Sequence, residues 1–345
     1  MVVTAPRLPA KVGGEARTEF GLRLRCDFSS MAAYLVTGGA GFIGSHLADE
    51  LARRGHAVRV ADSLITGKRR NLAHVSGVEF LEGDLADQAV AVRAAAGMDY
   101  VLHQAAIPSV PRSVEDPIAS NRANIDASLN VLVAARDAGV KRVVYAGSSA
   151  AYGDTPALPK REDMPPSPLS PYALQKLVAE QYGQMFTRLY GLETVAIRYF
   201  NVFGPRQDPG SPYSGVISLF ADALLEGRQP TIYGDGEQTR DFTYVANVVD
   251  GVLRACKASS VAGEVINVAT GGRVSLNELL RVMNGIVGTN LRAIFKESRA
   301  GDVKDSQADI SKARALLGYR PIVPLEEGLR HTIDWCRSDR VAADR

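Results

Sequence analysis

The chain has 345 residues, of which 46% are hydrophobic and 23% are charged, a composition typical of a globular protein with a large core. Its formal net charge of +2 is too small to favour nucleic acid or a membrane surface as a partner. No apolar run reaches the roughly 18 residues that a membrane helix needs. The cysteines, Cys26, Cys256 and Cys336, are too widely spaced for a disulfide framework or a metal site, so we expect a cytoplasmic protein without a bound metal.

Residues 1–30 are basic and lack both an apolar signal core and any clear periodicity. We interpret them as an extension, with Met31 as a candidate start of the natural chain. The remaining length suggests two domains, or one domain with a substantial lobe.

The first folded segment is a strand followed by a glycine-rich turn and a helix. The apolar residues 34–37 predict a short buried strand, and Gly38, Gly41 and Gly44 follow it at once. Such glycines allow a tight turn, close approach of the backbone to a pyrophosphate, and close packing of helix on strand. The sequence therefore predicts a dinucleotide site, although the spacing is one residue wider at the front than in the commonest form.

A carboxylate closes the second predicted strand, residues 57–61, and lies about 20 residues after the glycine turn. This carboxylate, Asp62, is placed to accept hydrogen bonds from the adenosine ribose hydroxyls and to repel a 2′-phosphate, so the sequence favours NAD over NADP. Asp84 follows the next strand and is placed to meet the adenine edge.

Small residues end the next predicted strand, 100–106, where they would let the backbone lie against the cofactor. We interpret His103 as structural, since no candidate base or metal partner accompanies it. Asn124 is polar on the apolar face of a long predicted helix, residues 118–138. It is either exposed or bonds the strand ends beneath the cofactor, and the spacing favours neither alternative.

Tyr172 and Lys176 lie four residues apart on a predicted helix that begins after Ser170, so they share one face. Lowering a phenol pKa from about 10 to near 7 takes about 4 kcal/mol, whereas one exposed ion pair gives only about 0–1 kcal/mol. We therefore expect burial and the positive charge of an oxidised nicotinamide ring to assist Lys176. Ser148 and Ser149 follow another strand and point to the same site, unless they are ordinary turn serines.

The alternation of strands and helices loosens after Asn201, and residues 204–215 are rich in glycine, proline and charge, as expected at a boundary. Arg240 and Arg299 lie in glycine-flanked turns of the following lobe, where planar guanidinium groups match the oxygens of a diphosphate. The alternative, that they are surface charges, stays open.

Together these residues resemble the extended short-chain dehydrogenase/reductase family, and within it the bacterial UDP-N-acetylglucosamine 4-epimerases. The resemblance runs from Met31 to about Trp335. It is carried by the stretch 37–44, by Asp62, by the serines with Tyr172 and Lys176, by 198–204 (Arg-Tyr-Phe-Asn-Val-Phe-Gly) and by Arg240-Asp241-Phe242.

The resemblance implies an α/β fold, a doubly wound (Rossmann) parallel sheet with a smaller, interleaved α/β substrate-binding lobe. The NAD-binding part is expected at 31–203 with a return around 240–270, and the substrate lobe at 204–345. It also implies a homodimer, paired through a four-helix bundle made by the helices near 118–138 and 172–190.

The resemblance further implies the roles of individual residues. Tyr172 is the base, Lys176 lowers its pKa, and Ser149 holds the sugar 4-oxygen, with Ser148 as the alternative. The expected NAD contacts are Gly38, Gly41, Phe42, Ile43, Gly44, Asp62, Asp84, Leu85, Gln104, Ala105, Ala106, Asn124, Tyr172 and Lys176. The expected UDP-sugar contacts are Ser109, Asn201, Val216, Tyr233, Arg240, Arg299, Asp302 and Ser306.

The implied reaction oxidises the sugar at C4 and returns the hydride on the opposite face, interconverting UDP-GlcNAc and UDP-GalNAc. Ser306 falls where a bulky aromatic residue restricts relatives to UDP-glucose and UDP-galactose, so serine favours acetylated sugars. The alternatives are a UDP-glucose 4-epimerase, a related decarboxylase or dehydratase, and an inactive NAD-binding sensor. The dehydratases need an acid that Ala150-Ala151 does not supply, and a sensor does not need an aligned base.

Overall fold

A computed structural model describes residues 31–208, 215–298 and 303–343. The strands, in chain order, are β1 Ala33–Thr37, β2 Ala57–Asp62, β3 Val78–Glu82, β4 Tyr100–His103, β5 Arg142–Ser148, β6 Glu193–Tyr199, β7 Val202–Phe203, β8 Thr231–Tyr233, β9 Thr239–Arg240, β10 Thr243–Tyr244, β11 Glu264–Val268, β12 Val274–Ser275 and β13 Ile294–Lys296.

The helices are α1 Phe42–Arg53, α2 Gln88–Ala95, α3 Val110–Glu115, α4 Pro117–Asn121, α5 Ala127–Asp137, α6 Pro171–Tyr190, α7 Val216–Leu225, α8 Val245–Lys257, α9 Leu276–Val287, α10 Ser311–Leu317 and α11 Leu325–Ala343. Short 3₁₀ turns lie at Arg69–Leu72 and Ser149–Tyr152, and a π-helical turn lies at Arg122–Asp126.

Within the described residues, seven parallel strands form one sheet in the order β11-β6-β5-β4-β1-β2-β3. Helices cover both faces, which is why the central strands are continuous runs of buried apolar residues. One face packs against α1, α8 and α10, and the other against α2, α5 and α6. The predicted doubly wound α/β sheet is confirmed.

A smaller lobe packs around a separate apolar core that joins α7, α9 and α11. Its strands form three two-stranded sheets, β7 with β10 and β8 with β13 in parallel, and β9 with β12 antiparallel. The chain returns to the main sheet through α8 and β11, both of which lie between residues 240 and 270, where a return was expected. It returns a second time through residues 308–319, which pack on the same face of the sheet.

The helix that carries Tyr172 is long because its ends are well capped. Ser170 caps the first turn by accepting a hydrogen bond from the Ala173 amide, Pro171 occupies the first position, and Gly191 ends the helix in a left-handed conformation. The predicted helix at 118–138 is divided into α4 and α5 by the π-helical turn. Among the residues that the structure describes, none of the helices is long and apolar enough to cross a bilayer.

Candidate active site

A cavity of about 730 Å³ opens at the carboxyl ends of the strands, where doubly wound sheets bind their ligands. It is lined by nearly all of the residues predicted to bind NAD and by both predicted serines. These are Gly38, Gly41, Phe42, Ile43, Gly44, Asp62, Asp84, Leu85, Gln104, Ala105, Ala106, Ser148, Ser149, Tyr172 and Lys176, together with Asn201 of the predicted substrate contacts.

The glycine turn forms a cradle that side chains would fill. Gly38 has a φ of +63°, and a Cβ there would lie 2.7 Å from the backbone nitrogen of Ala105. A Cβ on Gly44 would lie 2.2 Å from the carbonyl oxygen of Gly38. No side chain caps the first turn of α1, which therefore presents backbone N–H groups at its positive end. This cradle fits the diphosphate of a dinucleotide.

Asp62 is buried at the end of β2 and braces the loops around the cradle. Its two oxygens accept hydrogen bonds from the backbone of Ala40 at 2.9 Å and of Leu64 at 2.8 Å. Burial raises the pKa of Asp62 and these two hydrogen bonds lower it. Asp84 lies at the same rim, 3.7 Å from the Arg122 guanidinium. Both carboxylates line the same cavity as the glycine turn.

His103 is buried at the end of β4. Its ring nitrogens contact Thr37 Oγ1 at 2.7 Å and Ser128 Oγ at 3.0 Å. Burial, together with the charge of Lys176, lowers the pKa of His103 to about 3, so the ring is neutral at physiological pH. The hydroxyl of Thr37 also accepts from the backbone amides of Gln104 and Ala105. The structure thus places His103 in a structural position, as its sequence context indicates.

Asn124 is buried, 2% exposed, in the π-helical turn. Its side chain accepts a hydrogen bond from the Ile107 amide at 2.8 Å and donates one to Gln175 Oε1 at 2.8 Å. It therefore bonds the segment after β4 from beneath and does not line the cavity itself. Of the two alternatives for Asn124, the exposed one is wrong.

Tyr172, Ser148 and Lys176 meet at the inner end of the cavity. Ser148 hydrogen-bonds the Tyr172 hydroxyl, and Lys176 Nζ donates to the carbonyl oxygen of Ala146 at 3.0 Å. Ser149 lines the cavity as the first residue of the 3₁₀ turn. The geometry therefore favours Ser148, the alternative, over Ser149 as the partner of the tyrosine.

The pKa values of this group correct one expectation. Burial raises the pKa of Tyr172, because it disfavours the phenolate, while the hydrogen bond from Ser148 lowers it. Burial was expected to help the phenolate form, and this is wrong. Burial also lowers the pKa of Lys176 to about 8, since the ammonium is desolvated. Ser148 is therefore the group in the structure that lowers the pKa of the phenol, and the expected lowering by Lys176 is not seen.

The other predicted substrate residues that the structure describes are not among those that line this cavity. Ser109 is buried, and its hydroxyl caps α3 by accepting from the Arg112 amide at 3.2 Å. Val216 begins α7, next to Gly215 of the cavity wall. Tyr233 ends β8 in the smaller lobe.

Two further substrate predictions belong to one corner of the smaller lobe. Arg240 lies in β9 and donates from Nη1 to the carbonyl oxygens of Thr239 and Lys304, both at 2.9 Å. The amide of Ser306 donates to the same Thr239 carbonyl oxygen at 3.0 Å. Arg299 and Asp302, also predicted, lie outside the described residues.

Several side chains that line the cavity were not predicted from the sequence. Tyr199, the last residue of β6, donates from its hydroxyl to Gln104 Oε1 at 2.8 Å and so joins the ends of β4 and β6. Its position at a strand end was a usable signal, since strand ends converge on the site. Further cavity-lining residues that were not predicted include Ser63, Ile65, Thr66, Arg112, Arg122 and Gln207, which lie on loops or in short helical segments.

Comparison with known proteins matches residues 34–269 to the NAD dependent epimerase/dehydratase family. A UDP-glucose 4-epimerase of Mycolicibacterium smegmatis is 40% identical and aligns over 88% of this chain and 98% of its own length. UDP-glucuronic acid decarboxylase 1 of Xenopus tropicalis is 36% identical, over 88% of this chain and 72% of its own length.

Among solved structures, the UDP-N-acetylglucosamine 4-epimerase of Methanobrevibacter ruminantium M1, in complex with UDP-N-acetylmuramic acid, superposes with a TM-score of 0.86. It is 40% identical, and the match covers 90% of this chain and 99% of that structure. The sequence motifs, the glycine cradle and these matches agree: the chain belongs to the NAD dependent epimerase/dehydratase family and is an enzyme that uses NAD.

Proposed function

We propose that the protein is a UDP-sugar 4-epimerase, an isomerase that interconverts UDP-GlcNAc and UDP-GalNAc and also accepts UDP-glucose and UDP-galactose. The observation that carries the proposal is the meeting of Tyr172, Ser148 and Lys176 in one cavity with the glycine cradle. A protein that only bound a dinucleotide would not need a phenol aligned with a serine at the inner end of its site.

Each residue of this group has its own role in the proposed reaction. NAD, when bound, supplies the hydride acceptor for C4 of the sugar. Tyr172 takes the proton of the 4-hydroxyl, and Ser148 holds the same oxygen by a hydrogen bond. Lys176 lies one helical turn after Tyr172 on α6 and is oriented by the Ala146 carbonyl oxygen. Once the 4-keto sugar presents its other face to the cofactor, Tyr172 would return its proton to the 4-oxygen while the hydride would return to C4, which inverts that centre and completes the cycle.

The placement of the carboxylates favours epimerisation over dehydration. Within the described part of the chain, the carboxylates that line the cavity are Asp62 and Asp84, both on the cofactor side. The residues that follow Ser149 are Ala150 and Ala151, so the 3₁₀ turn brings no acid to the tyrosine. Expulsion of water needs a general acid near the leaving group, and these positions do not provide one.

The acetylated substrate is supported by Ser306 alone. By the family resemblance, its small side chain stands at the position where a larger residue crowds a 2-acetamido group. A hydrophobic or steric difference of this size changes specificity by about 10–200-fold. A UDP-glucose 4-epimerase is therefore the second candidate, and the two differ in the preferred sugar while sharing the catalytic residues.

Apolar side chains on neighbouring helices support the proposed homodimer. Ile118 of α4 is 82% exposed and Leu189 of α6 is 65% exposed, and Val114 of α3 and Leu174 of α6 are exposed as well. These three helices pack on one another, and exposed apolar side chains close together are typical of interaction sites. Sedimentation velocity should give the mass of two chains, and the Ile118→Asp/Leu189→Asp double variant should sediment as a monomer.

The assay incubates purified protein with UDP-GlcNAc and, separately, with UDP-glucose, and resolves the products chromatographically. The epimerase should form UDP-GalNAc and UDP-galactose without added NAD and without a net change in absorbance at 340 nm. Formation of a 4-keto-6-deoxy sugar as the end product would instead identify a dehydratase. Binding of NAD without turnover of any UDP-sugar would leave the sensor as the remaining function.

A further inference from the structure

Asp241, the middle residue of Arg240-Asp241-Phe242, is fully buried and accepts hydrogen bonds from three other residues. Its Oδ1 accepts from the Thr270 amide at 3.0 Å and from Thr270 Oγ1 at 2.5 Å. Its Oδ2 accepts from the amides of Gly271 at 3.0 Å and Ala308 at 3.2 Å. The carboxylate thus accepts four hydrogen bonds, and through them it connects the loop after β11 to the chain near Ser306.

The chain near Ser306, residues 304–309, is here called the gate segment. Besides Asp241, it is held by β9, because Thr239 Oγ1 donates to Asp305 Oδ1 at 2.5 Å and the Ser306 amide donates to the Thr239 carbonyl oxygen at 3.0 Å. On its other side the Lys160 amide donates to the Gln307 carbonyl oxygen at 2.7 Å. Backbone bonds thus fix Ser306 from both flanks.

Asp241 also reaches the cavity wall through its own backbone. Its carbonyl oxygen accepts from Asn201 Nδ2 at 3.4 Å, and Asn201 lines the cavity. Arg240, the preceding residue, bonds the Lys304 carbonyl oxygen at the start of the gate segment. One buried carboxylate therefore sits among Asn201, Arg240 and Ser306, three of the predicted substrate contacts.

We propose that Asp241 is a positioning residue that sets sugar specificity by fixing the gate segment, without touching the substrate. The inference rests on the proposed function, since it assigns the gate segment to the sugar subsite. An ionised carboxylate accepts on both oxygens, whereas an asparagine amide would turn an N–H group toward one pair of donors. Loss of those bonds leaves buried amides without partners, and the gate segment shifts to satisfy them.

The test compares Asp241→Asn with Asp250→Asn. Asp250 lies in α8, is 1% exposed and pairs with Arg254 at 2.6 Å, so it is a buried carboxylate outside the cavity. Both variants lose a buried charge, and both are measured for melting temperature, bound NAD and kcat/KM with UDP-GlcNAc and UDP-glucose. A purely structural role moves the melting temperature and leaves the ratio of the two kcat/KM values unchanged.

We expect Asp241→Asn to lower kcat/KM for UDP-GlcNAc at least about tenfold, because displacing a positioning element by about 1 Å costs up to about a hundredfold. The larger sugar depends more on the gate segment, so the ratio of UDP-GlcNAc to UDP-glucose should fall at least about fivefold. The change should appear mainly in KM, with bound NAD and the pH profile of kcat retained. Asp250→Asn should keep the wild-type ratio.

Thr270→Val is the second test variant, to be used if Asp241→Asn does not fold, because it removes one of the four donors and keeps the carboxylate. It should change the ratio in the same direction by a smaller factor. If the wild-type enzyme epimerises UDP-sugars but the ratio in the Asp241 or Thr270 variant equals the wild-type ratio, this inference is wrong and the proposed function stands. If the wild-type enzyme turns over neither sugar, the proposed function fails and the inference fails with it.

Discussion

The two sides of the active site are built in different ways. The cofactor side is made by short stretches at the ends of adjacent strands, and almost every residue predicted there lines one cavity. The proposed substrate side draws on segments far apart in sequence, such as β9, the loop after β11 and the gate segment. Of the predicted substrate contacts within the described residues, Asn201 lines that cavity, while Ser109 caps a helix instead.

The difference shows what a local motif can encode. A glycine turn carries part of its own geometry, because a Cβ on Gly44 would meet the Gly38 carbonyl oxygen only six residues away, although the limit on Gly38 itself comes from Ala105 beyond β4. The position of Ser306 instead depends on Asp241 and Thr239, which are more than 60 residues away in sequence. The following predictions test this contrast, from the largest expected effect to the smallest.

Tyr172→Phe removes the proton acceptor and keeps the ring. We expect the protein to fold, to retain NAD and to lose at least about a hundredfold in kcat, the scale of positioned acid–base catalysis. Steady-state kinetics with UDP-glucose and quantification of bound NAD measure both effects. Ser148→Ala should also lower kcat, by a smaller factor, whereas Ser149→Ala should leave kcat unchanged. Near wild-type turnover of the phenylalanine variant would end the catalytic assignment.

Gly44→Ala places a Cβ 2.2 Å from the Gly38 carbonyl oxygen, a contact that backbone cannot relieve easily. We expect the variant to lose bound NAD and about 3 kcal/mol of its free energy of unfolding, the upper end for overpacking. Denaturant unfolding and NAD content are the measurements.

Gly285→Ala in α9 is the matched control in the smaller lobe, because a Cβ there meets no atom within 4 Å. It should retain NAD and gain about 0.5–1 kcal/mol, since alanine is the better helix former. Equal destabilisation by both substitutions would show that the glycine cradle has no special constraint.

Buried histidines should make the cofactor side sensitive to acid. Burial and nearby positive charge lower the pKa of both His46 and His103 to about 3, below the ordinary 6.5, so the unfolded chain binds more protons between these values. The free energy of unfolding should therefore fall as pH falls from 6.5 toward 3, by about 2 kcal/mol per histidine between pH 7 and 5.

His103→Asn removes one titrating group and should flatten this dependence by about 2 kcal/mol over the same interval, measured by urea unfolding at pH 7 and pH 5. The asparagine retains a polar side chain toward Thr37, the contact that His103 makes at 2.7 Å. An unchanged slope would mean that His103 is not the group being protonated.

Ser306→Tyr tests the gate segment itself and carries the smallest expected effect. We expect kcat/KM for UDP-GlcNAc to fall at least about tenfold while that for UDP-glucose is kept, because a bulky ring takes the space of the 2-acetamido group. Ser306→Ala, which keeps the space, is the control. Equal loss on both sugars would remove the argument that this position selects the acetylated substrate.

Much of the fold and of the cofactor side was predictable because the signals are local. Apolar strands, the glycine turn and Asp62 follow one another within about 30 residues, the length of one βα unit. The spacing of Tyr172 and Lys176 fixes them on one helix face whatever the surroundings. The π-helical turn around Asn124 was not predictable, since the choice between an exposed and a buried amide depends on Gln175 and Ile107 from other elements.

The sequence by itself determined the doubly wound sheet, the dinucleotide cradle and the choice of Tyr172 as the proposed base, because each depends on residues close along the chain. Only the tertiary structure decided which serine meets Tyr172, that burial raises the pKa of the phenol, and that Asp241 holds the gate segment. These depend on distances between strand ends and loops that fold together from remote segments. Hydrogen bonding and desolvation act over a few ångströms in space, and sequence separation does not report such distances.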